Sequence, residues 1–271
     1  MKRDLDPQEP EVPASPTLSL CMLASGSRGN AIYISDGETS LLIDAGLSGI
    51  ELERRLAGRG IDPASLDAIV ISHEHNDHIL GAGVLSRRFN LPVYITRETA
   101  RAAMPKLKKI ETLQYFERSR DFAINRWRIH PFCLSHDAVD PVGFTFCCGD
   151  KKIGLATDLG VAPAMVREHL KDCGILVVEA NHDPVMLTEG PYPWPVKQRI
   201  KSRTGHLSND DSRALLGRLK HPGLTHVVLA HLSLENNTCE KALSAAADVL
   251  NDTRATLSVA RQDCCGEWLC L

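Results

Sequence analysis

No apolar run in this 271-residue sequence approaches the roughly 20 residues that a membrane-spanning helix needs. The opening residues, Met1-Lys2-Arg3-Asp4, lead into a polar segment without the apolar stretch of a secretory signal, so the expected compartment is the cytoplasm. C-x-x-C spacing is missing as well, which argues against a zinc ribbon. The nine cysteines are an odd number, and Cys147-Cys148 and Cys264-Cys265 are adjacent pairs that bridge each other poorly. Free thiols in a reducing compartment fit that pattern better than a disulfide framework. An excess of basic charge is also lacking: the formal net charge of -3 gives no global sign of nucleic-acid binding and leaves only local charge to carry one. No internal repeat recurs at a fixed short period.

What is present reads as an ordinary globular chain, 43% hydrophobic and 24% charged, long enough for one large domain or two small ones. Residues 1–16 carry Pro7, Pro10, Pro13 and Pro16 with almost no large apolar side chain and are expected to form a disordered tail. Residues 17–271 are expected to form a single domain.

The most informative stretch is His73-Glu74-His75-Asn76-Asp77-His78, with three imidazoles and a carboxylate in the pattern H-x-H-x-D-H. It follows the apolar run Ala68-Ile69-Val70-Ile71 and precedes Ile79-Leu80-Gly81, which places it where a buried strand gives way to a helix. A lone histidine on such a loop is usually structural. Four such groups together are good ligands for zinc, manganese or iron, and after one metal is bound donors remain, which points to two.

Strands and helices interleave along the chain. Strands are expected at 18–23, 31–34, 41–43, 68–72, 93–96, 112–116, 127–133, 142–148, 153–157, 175–178, 225–230, 256–261 and 267–270. Helices are expected at 48–59, 78–89, 97–104 (closed by Pro105), 162–171, 209–219 and 237–251. Residues 184–203, with four prolines, read as one long irregular segment. Polar, metal-competent residues recur at strand ends: Asp44, Asp158, Glu179 and His231, with His136 in a connection. Asp44 would be costly to bury without a partner, and fixing the metal loop would supply one. The turn Ser25-Gly26-Ser27-Arg28-Gly29-Asn30 is either a plain β-turn or a loop whose amides and Arg28 approach a phosphate. Lys197, Arg199, Lys201 and Arg203 form either a solvated face or a basic overhang beside His206. His182 reads three ways: at the metal, at a scissile phosphate, or as a hydrogen bond within its loop.

This ordered set resembles the metallo-β-lactamase superfamily across about residues 18–271. Within it the sequence is most similar to the YycJ/WalJ-like subgroup, through Leu23-Ala24-Ser25-Gly26-Ser27, Ser72-His73-Glu74-His75, Ala156-Thr157-Asp158-Leu159-Gly160, Glu179-Ala180-Asn181-His182-Asp183, Gly205-His206-Leu207-Ser208-Asn209 and His231-Leu232-Ser233. The resemblance implies an α/β (in some schemes α+β) four-layer αββα sandwich of two facing mixed sheets. It implies that His73, His75 and His136 hold one divalent metal and that Asp77, His78 and His231 hold a second. Asp158 would bridge the two, with Asp44 behind them. It also implies Glu179 and His206 as an acid pair beside the leaving group, and 5′-to-3′ exonuclease activity on DNA. The long inserted domain of the broader nuclease branches is absent from the pattern. The same dinuclear site would equally serve a small ester, thioester, lactone or cyclic phosphodiester, and a non-catalytic metal-binding module is a third possibility.

Overall fold

Side chains of the early strands point alternately to two apolar environments, which is why these strands read as continuous hydrophobic runs. The computed structural model describes residues 17–271. In strand β1 (Ser19–Ala24), Leu20 and Met22 join one buried cluster while Cys21 and Leu23 join another. The first cluster lies between two seven-stranded sheets and the second under the helices outside one of them.

The first sheet contains β1, β2 (Ala31–Ser35), β3 (Ser40–Ile43), β4 (Ala68–Val70), β5 (Val93–Thr96) and β6 (Leu113–Phe116), with β14 (Leu269–Cys270) on the β1 edge. The second contains β7 (Phe122–Ile124), β8 (Trp127–Cys133), β9 (Val142–Cys148), β10 (Lys151–Ala156), β11 (Ile175–Glu179), β12 (His226–Ala230) and β13 (Thr256–Val259). Both sheets are mixed: β3 to β6 and β10 to β13 run parallel, and the remaining neighbours antiparallel. Trp127, Phe144 and Phe146 from the second sheet meet Leu20, Ile34 and Leu41 from the first in the shared core. Burying each such side chain stabilises the fold by roughly 1.5–3 kcal/mol.

Helices α1 (Gly49–Ala57), α2 (Asn76–Ile79), α3 (Ala82–Phe89) and α4 (Arg97–Leu107) follow strands of the first sheet. Helices α5 (Ala164–Leu170), α6 (Pro184–Glu189), α7 (Trp194–Lys201), α8 (Asn209–Leu219) and α9 (Cys239–Leu250) belong to the second half. Leu170, Leu215, Leu216 and Leu250 pack against the outer face of the second sheet. The layers are therefore αββα, as the resemblance implied. None of the helices among the described residues is long and apolar enough to cross a membrane.

Several local expectations differ from what forms. The helix read over 78–89 is two helices, because a Cβ at Gly81 would lie 2.4 Å from the Leu47 carbonyl oxygen and the chain bends there to let that loop pass. Pro105 does not close α4, which runs to Leu107; a proline in the last turn forfeits little hydrogen bonding, and Leu107 is fully buried. The segment 184–203 is not irregular. Its prolines start helices: Pro184 opens α6 behind an Asp183 cap that accepts the Val185 and Met186 amides, and Pro195 lies in the first turn of α7. Proline is tolerated there because the first-turn N–H groups have no helical partner. The three-residue strand β7 gave no periodicity signal. The proline-rich tail expected over 1–16 lies outside the described residues.

Gly46 couples the fold to the hexapeptide. A Cβ at this position would sit 1.6 Å from the Asp77 carbonyl oxygen and 2.7 Å from the Asn30 nitrogen. Gly46→Ala is expected to push these loops apart and destabilise the protein by roughly 3 kcal/mol. A thermal melt should show the midpoint falling by about 6–12 °C; an unchanged midpoint would contradict this packing.

Candidate metal centre

Three residues that follow buried strands adopt left-handed backbone: Asp44 after β3, Asp158 after β10 and His231 after β12, with φ of 56°, 61° and 56°. Such conformations are uncommon outside glycine, are enriched for Asp and His, and concentrate at functional sites. All three side chains are buried; Asp158 Oδ1 lies 3.3 Å from His231 Nδ1, and Asp44 is joined to them through His78.

Asp44 organises the hexapeptide. Its Oδ1 accepts the Ser72 amide at 2.8 Å, and its Oδ2 accepts the Ser72 hydroxyl at 2.8 Å and lies 2.7 Å from His78 Nδ1. The other His78 nitrogen, Nε2, is 3.2 Å from Asp158 Oδ2. On the opposite side of the loop, Asn30 donates its amide to the Asp77 carbonyl at 2.7 Å and its side-chain Nδ2 to Asp77 Oδ2 at 3.2 Å.

Two donor groups result. The ring nitrogens of His73, His75 and His136 lie within 4.8 Å of one another, as do the donor atoms of Asp77, His78 and His231. Asp158 lies between them, Oδ1 3.9 Å from His136 Nε2 and Oδ2 3.2 Å from His78 Nε2. His73 Nε2, His231 Nε2 and Asp158 Oδ2 are buried without a hydrogen-bond partner. Each such orphan costs about 1–3 kcal/mol, so their convergence calls for a cation to satisfy them. The spacing agrees: His75 Nδ1 and His136 Nε2 are 3.3 Å apart, close to the roughly 3.3 Å that separates two ligands on a tetrahedral ion with bonds of about 2.0–2.1 Å. The donor set fits divalent metal.

Glu179 is near the cluster but is already committed. It is fully buried; Oε2 accepts the Leu159 and Leu207 amides at 3.1 and 3.0 Å, and Oε1 lies 2.8 Å from both His231 Nδ1 and His206 Nδ1. With both oxygens occupied, it orients two imidazoles and has no oxygen free for a metal. Burial works against its charge, but the neighbouring His206 and the hydrogen bonds from both rings hold its pKa down at about 2.

The histidines divide by protonation. Burial, reinforced by His78, pushes His73 well below the ordinary value, and burial also lowers His136, so both offer lone pairs at neutral pH. For His231 burial is outweighed by Asp158, Asp77 and Glu179, which raise it to about 10. Its Nδ1–H donates to Glu179, so a metal at Nε2 must displace the second ring proton. Below pH 10 that proton is bound, and raising the pH makes it easier to remove. Affinity at the Asp77–His78–His231 group is therefore expected to rise at least about tenfold per pH unit between pH 6 and 8. Competition titrations against a chelator would check this, and affinity independent of pH would contradict it.

The cleft over these groups has a volume of about 250 Å³ and is lined by His75, Asp77, His136, Asp158, His206 and His231, with Ser27 and Arg199 at its walls. The other residues expected near a phosphate are placed differently. Ser25 is buried, its hydroxyl accepting the His231 amide at 2.8 Å, and Asn30 is buried against Asp77. His182 is buried with Nδ1 unpartnered, and burial lowers its pKa to about 4. Arg199 is held by Asp137 at 2.6 Å, while Lys197 and Lys201 tie α7 to Thr188 at 2.7 Å each. Arg203 is exposed, and its carbonyl accepts the Ser135 hydroxyl at 2.7 Å. Arg28 is exposed beside a neighbouring cavity. Tyr192, Val196 and Ile200 also line the cleft and were not anticipated. Val196 and Ile200, four residues apart, share one face of α7 with Tyr192 just before the helix, a face invisible while that segment reads as irregular.

An αββα sandwich whose strand ends carry this His/Asp cluster defines a metallohydrolase. The particular family follows from comparison: residues 24–231 match the model of the metallo-β-lactamase superfamily, and the chain belongs to that superfamily. The sequence is 37% identical to the exodeoxyribonuclease YycJ of Bacillus anthracis over 237 residues, covering 87% of this chain and 90% of that one. It is 39% identical to the exodeoxyribonuclease WalJ of Streptococcus pneumoniae over 225 residues, covering 82% and 84%. The crystal structure of the metallo-β-lactamase fold protein YhfI from Bacillus subtilis superposes with a TM-score of 0.73 at 16% identity, covering 94% of this chain and all of that one, a likeness of fold.

Proposed function

We propose that this protein is a DNA phosphodiesterase, a 5′-to-3′ exonuclease working with two divalent cations, zinc or manganese, with iron also compatible. His73, His75 and His136 would hold one cation and Asp77, His78 and His231 the other, with Asp158 between them. The observation that carries the reading is the Glu179 junction, which binds one imidazole of the metal cluster and one imidazole at the cleft through the same oxygen. A simple metal store has no use for the second.

When bound, the cations supply Lewis acidity and activate water for attack at phosphorus. The chain supplies the rest. Asp44 and Glu179 fix the tautomers of His78 and His231 by accepting hydrogen bonds from their Nδ1–H groups, leaving each Nε2 toward the cluster. His206 is bonded at Nδ1 to Glu179, which frees Nε2 to face the cleft. Burial opposes a charge on His206, but the Glu179 carboxylate outweighs it and raises the ring above the ordinary histidine value. The shift favours the protonated ring and suits His206 to hand a proton to the departing oxygen. Ser27 stands at the wall where a backbone phosphate would enter. The kinship with exodeoxyribonucleases supports DNA as the polymer, and nine unpaired cysteines suit a reducing compartment such as the cytoplasm.

Metal-loaded protein should shorten end-labelled DNA progressively from its 5′ end. The same protein should be tested on RNA, a small cyclic phosphodiester, a thioester and a lactone. Turnover confined to a small substrate would overturn the nuclease reading.

A further inference from the structure

Of the cationic side chains first suspected of meeting phosphate, Arg199 is held by a carboxylate and Lys197 and Lys201 are tied to a neighbouring helix. Arg28, from the same set, is not so held, and it has a second arginine for company. A second cavity of about 390 Å³ adjoins the cleft, with Ser233 lining both. Arg28 and Arg261 stand at its walls opposite one carboxylate, Asp263. Neither guanidinium forms an ion pair within 4 Å among the described residues, although Glu240 at the start of α9 feels the charge of Arg261. The same cavity has an apolar side: Leu232, Ala260 and Leu234, the last 60% exposed.

The cavity is wired to the metal cluster through two hydrogen bonds. The Arg261 carbonyl accepts the Ser25 amide at 3.0 Å, and the Ser25 hydroxyl accepts the His231 amide at 2.8 Å. Gln262 clamps the loop that carries Arg28, accepting the Arg28 amide at 2.7 Å and donating to the Gly29 carbonyl at 3.1 Å. Buried Arg55 then fastens this segment to α1, donating to the Leu23 and Gln262 carbonyls at 2.6 and 3.1 Å. Both arginines are thus anchored by backbone held in fixed register with the cluster.

We propose that this second cavity seats the nucleotide flanking the scissile phosphate, with its phosphate between Arg28 and Arg261 and its sugar and base against Leu232, Leu234 and Ala260. The proposal rests on the DNA reading above. It gives the enzyme a contact that a polymer can make and a small diester cannot. Paired cations beside an apolar wall suit a nucleotide, which carries charge at one end and a flat apolar surface at the other.

The test uses full-length, metal-loaded protein with Arg261→Glu and Arg261→Lys, on single-stranded DNA and on bis(p-nitrophenyl) phosphate, which fills only the cleft. Arg261→Glu should raise KM for DNA roughly tenfold and flatten the dependence of log affinity on log salt by about 0.7, the share of one phosphate contact on a single strand. Turnover of the small diester should stay at the wild-type rate, and Arg261→Lys should recover most of the DNA affinity. An unchanged KM and salt slope in Arg261→Glu, in protein that does degrade DNA, overturns the subsite alone. An equal loss on both substrates also overturns it, because the arginine would then support the cleft's structure. Wild-type protein that leaves DNA intact overturns the DNA reading and the subsite together.

Discussion

Replacing Asp158 by asparagine is expected to lower turnover roughly ten-thousand-fold or more while leaving a folded chain. The side chain is buried among His78, His136 and His231, at 3.2, 3.9 and 3.3 Å. Asparagine keeps its shape and tolerates the left-handed backbone at this position, whose φ is 61°. What it removes is the negative charge between the two donor groups, where two cations would otherwise repel each other. Losing one member of a buried ion pair usually costs several kcal/mol, but here the surrounding histidines can shed protons and relieve the imbalance. The far-UV circular dichroism spectrum should therefore be unchanged while metal content and activity fall. Wild-type activity in this variant would exclude a bridging role.

The second large effect is expected at Glu179. Glutamine there keeps one acceptor oxygen and replaces the other by an NH₂ group. Whichever way the amide is turned, that NH₂ faces either the Leu159 and Leu207 amides or the two imidazole nitrogens that now donate to Oε1. Two hydrogen bonds are lost and donors confront donors, a destabilisation of about 2–6 kcal/mol. His231 and His206 lose their orientation together. Metal affinity should fall about 10–100-fold, as when a partner behind a ligating histidine is removed, and kcat on DNA should fall further.

His206→Ala separates the two roles. It should keep its full complement of metal and lose about 10²–10⁴-fold in kcat on DNA. An acid must be protonated to work, so wild-type activity should decline as pH rises through the elevated His206 pKa, and that limb should vanish in the variant. A p-nitrophenyl ester, whose leaving group needs no proton, should be much less affected. Equal losses on both substrates would remove the acid role from His206.

The layer architecture and the clustering of the site were legible in the sequence because both are written in contrasts that survive without tertiary information. A buried strand must be apolar on both faces, so a carboxylate or imidazole within two residues of Ile43, Ala156 or Ala230 stands out as something the fold has to satisfy. The hexapeptide stands out for the same reason. Less legible was anything decided by the neighbour across the gap. Pro184 and Pro195 look like breakers until their place in a first helical turn is known. Gly81 looks neutral until the Leu47 carbonyl is found beside it. Ser25, Asn30 and Arg199 have the chemistry of phosphate contacts, yet in the fold two are buried behind the cluster and the third faces Asp137. Arg261, 30 residues beyond His231 at the last metal-bearing strand end, is not needed to find the cluster, and only the cavity reveals its place.

The most direct measurement is the metal content of the wild-type chain purified without chelators, by elemental analysis against protein concentration. Donor groups built from His73, His75 and His136 on one side and Asp77, His78 and His231 on the other, with Asp158 shared, predict two divalent ions per chain. One ion per chain, or none after addition of zinc or manganese in excess, would contradict a dinuclear centre.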